Sequence, residues 1–173
     1  MANSYSKKEI IRVTPTLDTN AYAQGDVLFT ATEIPNAVLG NGGCSILVAM
    51  YVLDLSDNSD DVVMVFTEGN TALGTINATA NISDADILAN NVIGTMMLDS
   101  SEADTASNID TSKIHQVMGA GAGGESAHHT MLLQAAAGST SVYVQGIITS
   151  ATTPTFANGD IQLIFHIETT PLH

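Results

Sequence analysis

Positive charge is nearly missing from this chain: four Lys and Arg stand against 18 Asp and Glu, for a formal net charge of -14. Three of the four bases, Lys7, Lys8 and Arg12, fall in the first dozen residues, and only Lys113 follows. A surface of this sign repels phosphates, so nucleic acid is not an expected partner. Cysteine is almost absent too. The single Cys44 cannot make an internal disulfide, so a hydrophobic core must hold the fold without an oxidised staple. Because it follows Asn41-Gly42-Gly43 and precedes an apolar run, Cys44 is expected to be a small buried filler and not a reactive thiol. Charge of either sign is scarce, at 13% of residues against about 25% in ordinary soluble domains. The surface must then be largely Ser, Thr, Asn, Ala and Gly, which suits broad contacts with other proteins. Long apolar runs are also lacking. The start, MANSYSKKEIIRV, has no stretch suited to a signal peptide, and no uninterrupted span could cross a membrane as a helix, so synthesis in a cytoplasm is expected.

What is present is β pattern. At 173 residues the chain suits one domain that buries roughly 70% of its unfolded surface. The segment from Ser45 to Phe66 dominates: SILVAMYVLD, the acidic LSDNSDD, then VVMVF. Its first arm is apolar at successive positions, which predicts a central strand with both faces covered. Its β-branched and aromatic residues favour strand over helix, and the two arms predict an antiparallel hairpin around a loop too acidic to bury. Alternation also predicts strands over 9–13, 25–32, 114–118, 141–149 and 160–168, with a brief one at 95–98. Ser83-Asp84-Ala85-Asp86 reads as a helix start, with Ile87, Leu88 and Val92 on its buried side. The segment 99–112 reads as an exposed, mobile acidic loop. Over 125–137 strand and helix compete, with strand favoured from Thr130 to Gln134.

The fold expected is all-β: an antiparallel β-sandwich, jelly-roll-like, with at most one or two short helices. Residues 1–12 are expected to form an amino-terminal arm and first strand, and 13–173 a single sandwich domain. One internal echo stands out. Tyr22-Ala23-Gln24-Gly25-Asp26-Val27 matches Phe156-Ala157-Asn158-Gly159-Asp160-Ile161 in character at every position. It predicts two similar turns, each entering a strand at one end of the sandwich.

Constellations with chemistry are weak. Gly119, Gly121 and Gly124 satisfy G-x-G-x-x-G, but no acid lies about 20 residues on to hold a ribose. Gly124-Glu125-Ser126-Ala127-His128 nearly spells the serine-hydrolase elbow, yet His128 crowds the place of its second glycine. His115, His128 and His129 lack metal-ligand spacing and read as exposed polar side chains, as does His166 on the polar face of the last strand. Asp54, Asp57, Asp60 and Asp61 offer the hard oxygen donors calcium accepts, but Ser59 and Val65 replace the glycine and the bidentate acid of the helix-loop-helix pattern. A solvated acidic loop is the preferred reading, and no catalytic residue, cofactor, resident metal or small-molecule substrate is expected.

Three stretches resemble the small virion proteins of tailed bacteriophages that decorate or cement the capsid. They are Leu17 to Val27, the Gly42-Gly43 lead into the strand ending at Asp54, and Ser141-Val142-Tyr143-Val144 with the Phe156 to Ile161 turn. The resemblance implies a β-sandwich that forms a homotrimer and binds the major capsid protein on the exterior of the virion. The charge asymmetry adds Lys7, Lys8 and Arg12 of the amino-terminal arm as the expected capsid contacts. The alternatives are a tail or fibre component and, from another class, a calcium-dependent carbohydrate-binding or adhesion module.

Overall fold

The computed structural model describes residues 6–58, 60–100, 106–119 and 130–169. Their elements in chain order are β1 (Lys7–Val13), β2 (Val27–Ile34), β3 (Cys44–Asp54), β4 (Val62–Thr67), α1 (Asp84–Ala89), β5 (Val92–Leu98), β6 (Ala106–Ile109), β7 (Ser112–Gly119), β8 (Met131–Gln134), β9 (Val142–Ile148) and β10 (Ile161–Thr169). The fold is all-β, as the alternation predicts.

The pairings between these strands are antiparallel, and one set of them nests. β4 pairs with β5, β3 with β7 and β8, β2 with β9, and β1 with β10. The chain is thus one long hairpin, closed between β4 and β5 and rolled up so that its halves stack, which is the jelly-roll scheme. The front sheet runs β1-β10-β3, with β8 and β7 sharing the far edge of β3; the back sheet runs β5-β4-β9-β2. β7 joins them by pairing Met97 with Met118 at its end.

The rolled topology overturns the expected central hairpin. β3 lies in the front sheet between β10 and the β7/β8 edge, whereas β4 lies in the back sheet between β5 and β9. The acidic connection therefore crosses from one sheet to the other.

Inward side chains of the two sheets make the core. β10 buries Ile161, Leu163, Phe165 and Ile167, and Phe165 meets Phe66 of β4 edge to face across the layers at 6.2 Å. That geometry suits the ring quadrupoles better than a stacked pair.

The two echoed turns enter β2 and β10 as expected, with the same wiring. The Asp26 carboxylate accepts from the Ala23 N–H at 2.7 Å, and the Asp160 carboxylate from the Ala157 N–H at 2.6 Å. Gly25 and Gly159 take φ of +89° and +96°, a region that costs a residue with a Cβ.

Several boundaries differ from expectation. β1 starts at Lys7, so Lys7 and Lys8 are strand residues and not part of a free arm; residues 1–5 lie outside the described residues. Within the expected acidic loop, Ala106–Ile109 is a strand paired to β7 through the turn at Asp110-Thr111, and 101–105 lie outside the described residues. β5 begins at Val92, before the expected Thr95, and β8 is strand as favoured. Ser83 caps α1 by accepting from the Asp86 N–H at 3.2 Å, but no residue of α1 is buried and Leu88 is 76% exposed.

The excursion between β4 and β5 covers part of the outer face of the back sheet. Leu73 packs there on Val27 and Val65, with Ala80, Ile82 and Ile87 around them. Gln145 of β9, fully buried on that face, accepts from the Leu73 N–H at 2.8 Å and donates to the Thr71 carbonyl at 2.9 Å. Asn90 grips the same Thr71, accepting from its N–H at 3.0 Å and donating to its carbonyl at 2.7 Å. Paired in this way, polar groups that would be costly to bury become anchors.

Candidate docking face

The outer face of the front sheet has no such cover among the described residues. β3 is expected to be shielded on both sides, yet Ile46 and Val48 are each 43% exposed. A bulge sets this arrangement. Leu47 pairs with Ile167 and Ala49 with His166, leaving Val48 as the extra residue, so Leu47 and Met50, three apart, both point inward. Successive apolar residues that cannot all face the core are thus sorted: one set fills the sandwich, and the other faces outward.

Register places the outward residues in rows. One row crosses the sheet as Leu132, Ile46, Glu168 and Lys8; another as Gln116, Tyr51, Ile164 and Arg12. Between them Ala49, His166 and Ile10 share a row. Ile10 is 50% and Leu132 61% exposed. The Tyr51 and His166 rings pack at 5.2 Å, tilted by 51°. Beside them Lys8, Glu9, Ile10, Val48, His166 and Ile167 line a shallow groove of about 420 Å³. The face is apolar in the middle and basic along the β1 edge. Lys8 lies 3.9 Å from Glu168 and Lys7 2.8 Å from Glu9, surface pairs that each hold little energy.

The four loop carboxylates each have partners of their own. Asp54 is buried and accepts from the Ser56 N–H at 2.8 Å; Asp57 faces Lys113 at 3.1 Å; Asp61 accepts from the Ser100 N–H at 2.9 Å. Asp60, also buried, accepts from the hydroxyls of Ser150 and Thr152. The loop is therefore not simply solvated: two of its acids are drawn into the body by donors of its own and neighbouring loops. Among the described residues no three His, Cys, Asp or Glu side chains are grouped as a metal would require.

Other expectations resolve individually. Cys44 is exposed and not a buried filler, because it opens β3 on the outward side of the alternation. His115 is 2% exposed, which corrects its reading as a surface residue: it faces inward from β7. His166 is half-buried on the outer face under Tyr51. Gly121, Gly124, Ser126, His128, His129 and His173 lie outside the described residues, and the glycine-rich and elbow-like motifs with them. Sequence reasoning missed the bare face itself, although its signal was present in the apolar residues on both alternations of β3.

The chain matches no protein-family model, and no curated protein is similar to it in sequence.

Proposed function

We propose that this chain is a virion structural protein of a tailed bacteriophage, binding the outer surface of the capsid as a homotrimer and stabilising the shell. The observation behind this reading is the contrast between the two sheets. The back sheet is covered in part by its own chain around Val27 and Val65, while the front sheet exposes Ile10, Ile46, Val48 and Leu132 together beside Lys8 and Arg12. An exposed apolar surface rimmed by polar residues is the usual mark of a protein interface. The basic edge adds direction, since Lys8 and Arg12 on this face, with Lys7 beside them on β1, can pair with acidic patches on a shell protein. An acidic body gains little from lying against packaged DNA, which favours the exterior. Many modest contacts on a symmetric lattice add up because engaging a second subunit is intramolecular once the first is bound.

The test uses purified full-length protein and mature shells stripped of it. Wild-type protein should bind the shells and raise their disruption temperature, and Val48→Glu should lose both effects while its own unfolding midpoint stays near wild type. Labelling of tails or glycans with shells ignored would overturn the reading in favour of the fibre or adhesion alternatives. Light scattering coupled to size exclusion checks the trimer; a strict monomer at tens of micromolar counts against it.

A further inference from the structure

Where the acidic connection crosses between the sheets, the sandwich holds a small cavity of about 20 Å³, room for one water. Asp54, Asn58, Asp60 and His115 supply its polar wall, and apolar residues such as Met64 and Phe156 the remainder. His115 is 2% exposed and its Nδ1 has no hydrogen-bond partner. In the β3/β7 pair, Val52 faces His115 and Asp54 faces Lys113, which makes Asp54 and His115 diagonal neighbours on the inward side. A buried imidazole with one nitrogen unsatisfied thus sits next to a buried carboxylate.

We propose that Asp54 and His115 form a buried proton-binding pair that loosens this end of the sandwich on acidification and releases the 54–61 connection from the body. The charges around the imidazole are few. β3 supplies Asp54; β7 itself supplies Lys113, whose ammonium lies 3.1 Å from Asp57; the connection supplies Asp60, held by Ser150 and Thr152. β6, which pairs Ala106 with His115, carries no titratable group, and neither do Val62, Met64 and Leu98, the cavity residues of β4 and β5. From the turn before β10, Asp160 is engaged with the Ala157 N–H. Among the described residues the cavity holds two carboxylates, Asp54 and Asp60; Asp54, the diagonal neighbour of His115, is the one whose charge favours an imidazolium, and Ser56 donors already engage it.

Burial holds the His115 imidazole below its ordinary value of 6.5, against the pull of Asp54, and holds the Asp54 carboxyl above 3.8, against the Ser56 donors. For His115 the unfolded chain binds the proton more readily, so stability present above 6.5 is lost as pH falls through that value toward the folded one. Asp54 has the opposite sign. Its folded form keeps the proton more tightly, so its own contribution offsets the loss once the pH reaches its raised titration range. The loosening accordingly begins below neutrality and is set by His115.

The experiment follows full-length protein from about pH 7.5 to about pH 5.5 by thermal unfolding and amide exchange. Wild type should lose unfolding midpoint on acidification, His115→Gln should lose clearly less, and Asp54→Asn, deprived of the counter-charge and of the offset, should lose more. The Leu55 N–H, bonded to the Asp160 carbonyl at 2.9 Å, should lose protection relative to the amides of β9, by up to about tenfold at one pH unit below the ordinary imidazole value. Parallel midpoint curves for wild type and His115→Gln would overturn the proposal. So would a His115 imidazole that titrates by NMR at its ordinary value, a readout that survives if the variants fold poorly.

Discussion

The rings of Tyr22 and Phe156 meet edge to face, 5.9 Å apart at 69°, and lock two copies of one turn together at an end of the sandwich. Tyr22 also donates its hydroxyl to the Leu28 carbonyl at 3.2 Å, and its N–H to the Pro154 carbonyl at 2.9 Å. The turns that open β2 and β10 are therefore one structural unit, although 134 positions separate Tyr22 from Phe156 (156 minus 22).

A double-mutant cycle on Tyr22→Leu and Phe156→Leu should show a coupling of about 0.5–1.5 kcal/mol in denaturant unfolding. Additive losses would mean that each ring acts only through its own burial. Gly25→Ala and Gly159→Ala should each cost about 1–2 kcal/mol, since both backbones hold positive φ.

Gly146 of β9 leaves space for the Phe29 ring, and a Cβ there would lie 2.5 Å from it. Gly146→Ala should destabilise by about 1–3 kcal/mol through overpacking. Because the obstacle is a side chain, adding Phe29→Leu should recover part of the loss. Calorimetric midpoints of the single and double variants decide this.

Asn90→Ala should cost about 1–3 kcal/mol, since it strips both backbone groups of Thr71 of a partner at the edge of the back-sheet cover. Amide exchange should locate the effect in the 68–91 excursion before the front sheet responds. Uniform loss of protection would mean that the excursion does not open as a separate unit.

Nested pairing makes refolding slow, because β1 with β10 and β2 with β9 can form only after long loops close. Stopped-flow refolding should take milliseconds to seconds, whereas completion within tens of microseconds would contradict the long-range nucleus this topology demands.

How much was legible in the residues varies with the range of the interaction responsible. The alternation of β10, the Ser83 cap and the twin turns are local, and each was readable because period, cap chemistry and glycine placement act within a few positions. The β3-β4 hairpin was misread for the complementary reason. An acidic connection between apolar arms is compatible with a hairpin or with a crossing between sheets, and only the competing partners β10, β5, β7, β8 and β9 select the second.

By itself, then, the sequence determined an all-β chain with a strongly acidic balance, because strand periodicity and net charge are sums over local choices. The tertiary structure alone decided which face of β3 remains bare, since Ile46 and Leu47 are alike in hydrophobicity and a one-residue bulge at Val48 settles which of them points inward. It likewise decided that His115 and Asp54 share a cavity. Sixty-one positions separate them (115 minus 54), and their proximity follows from a register between two strands that no local pattern encodes.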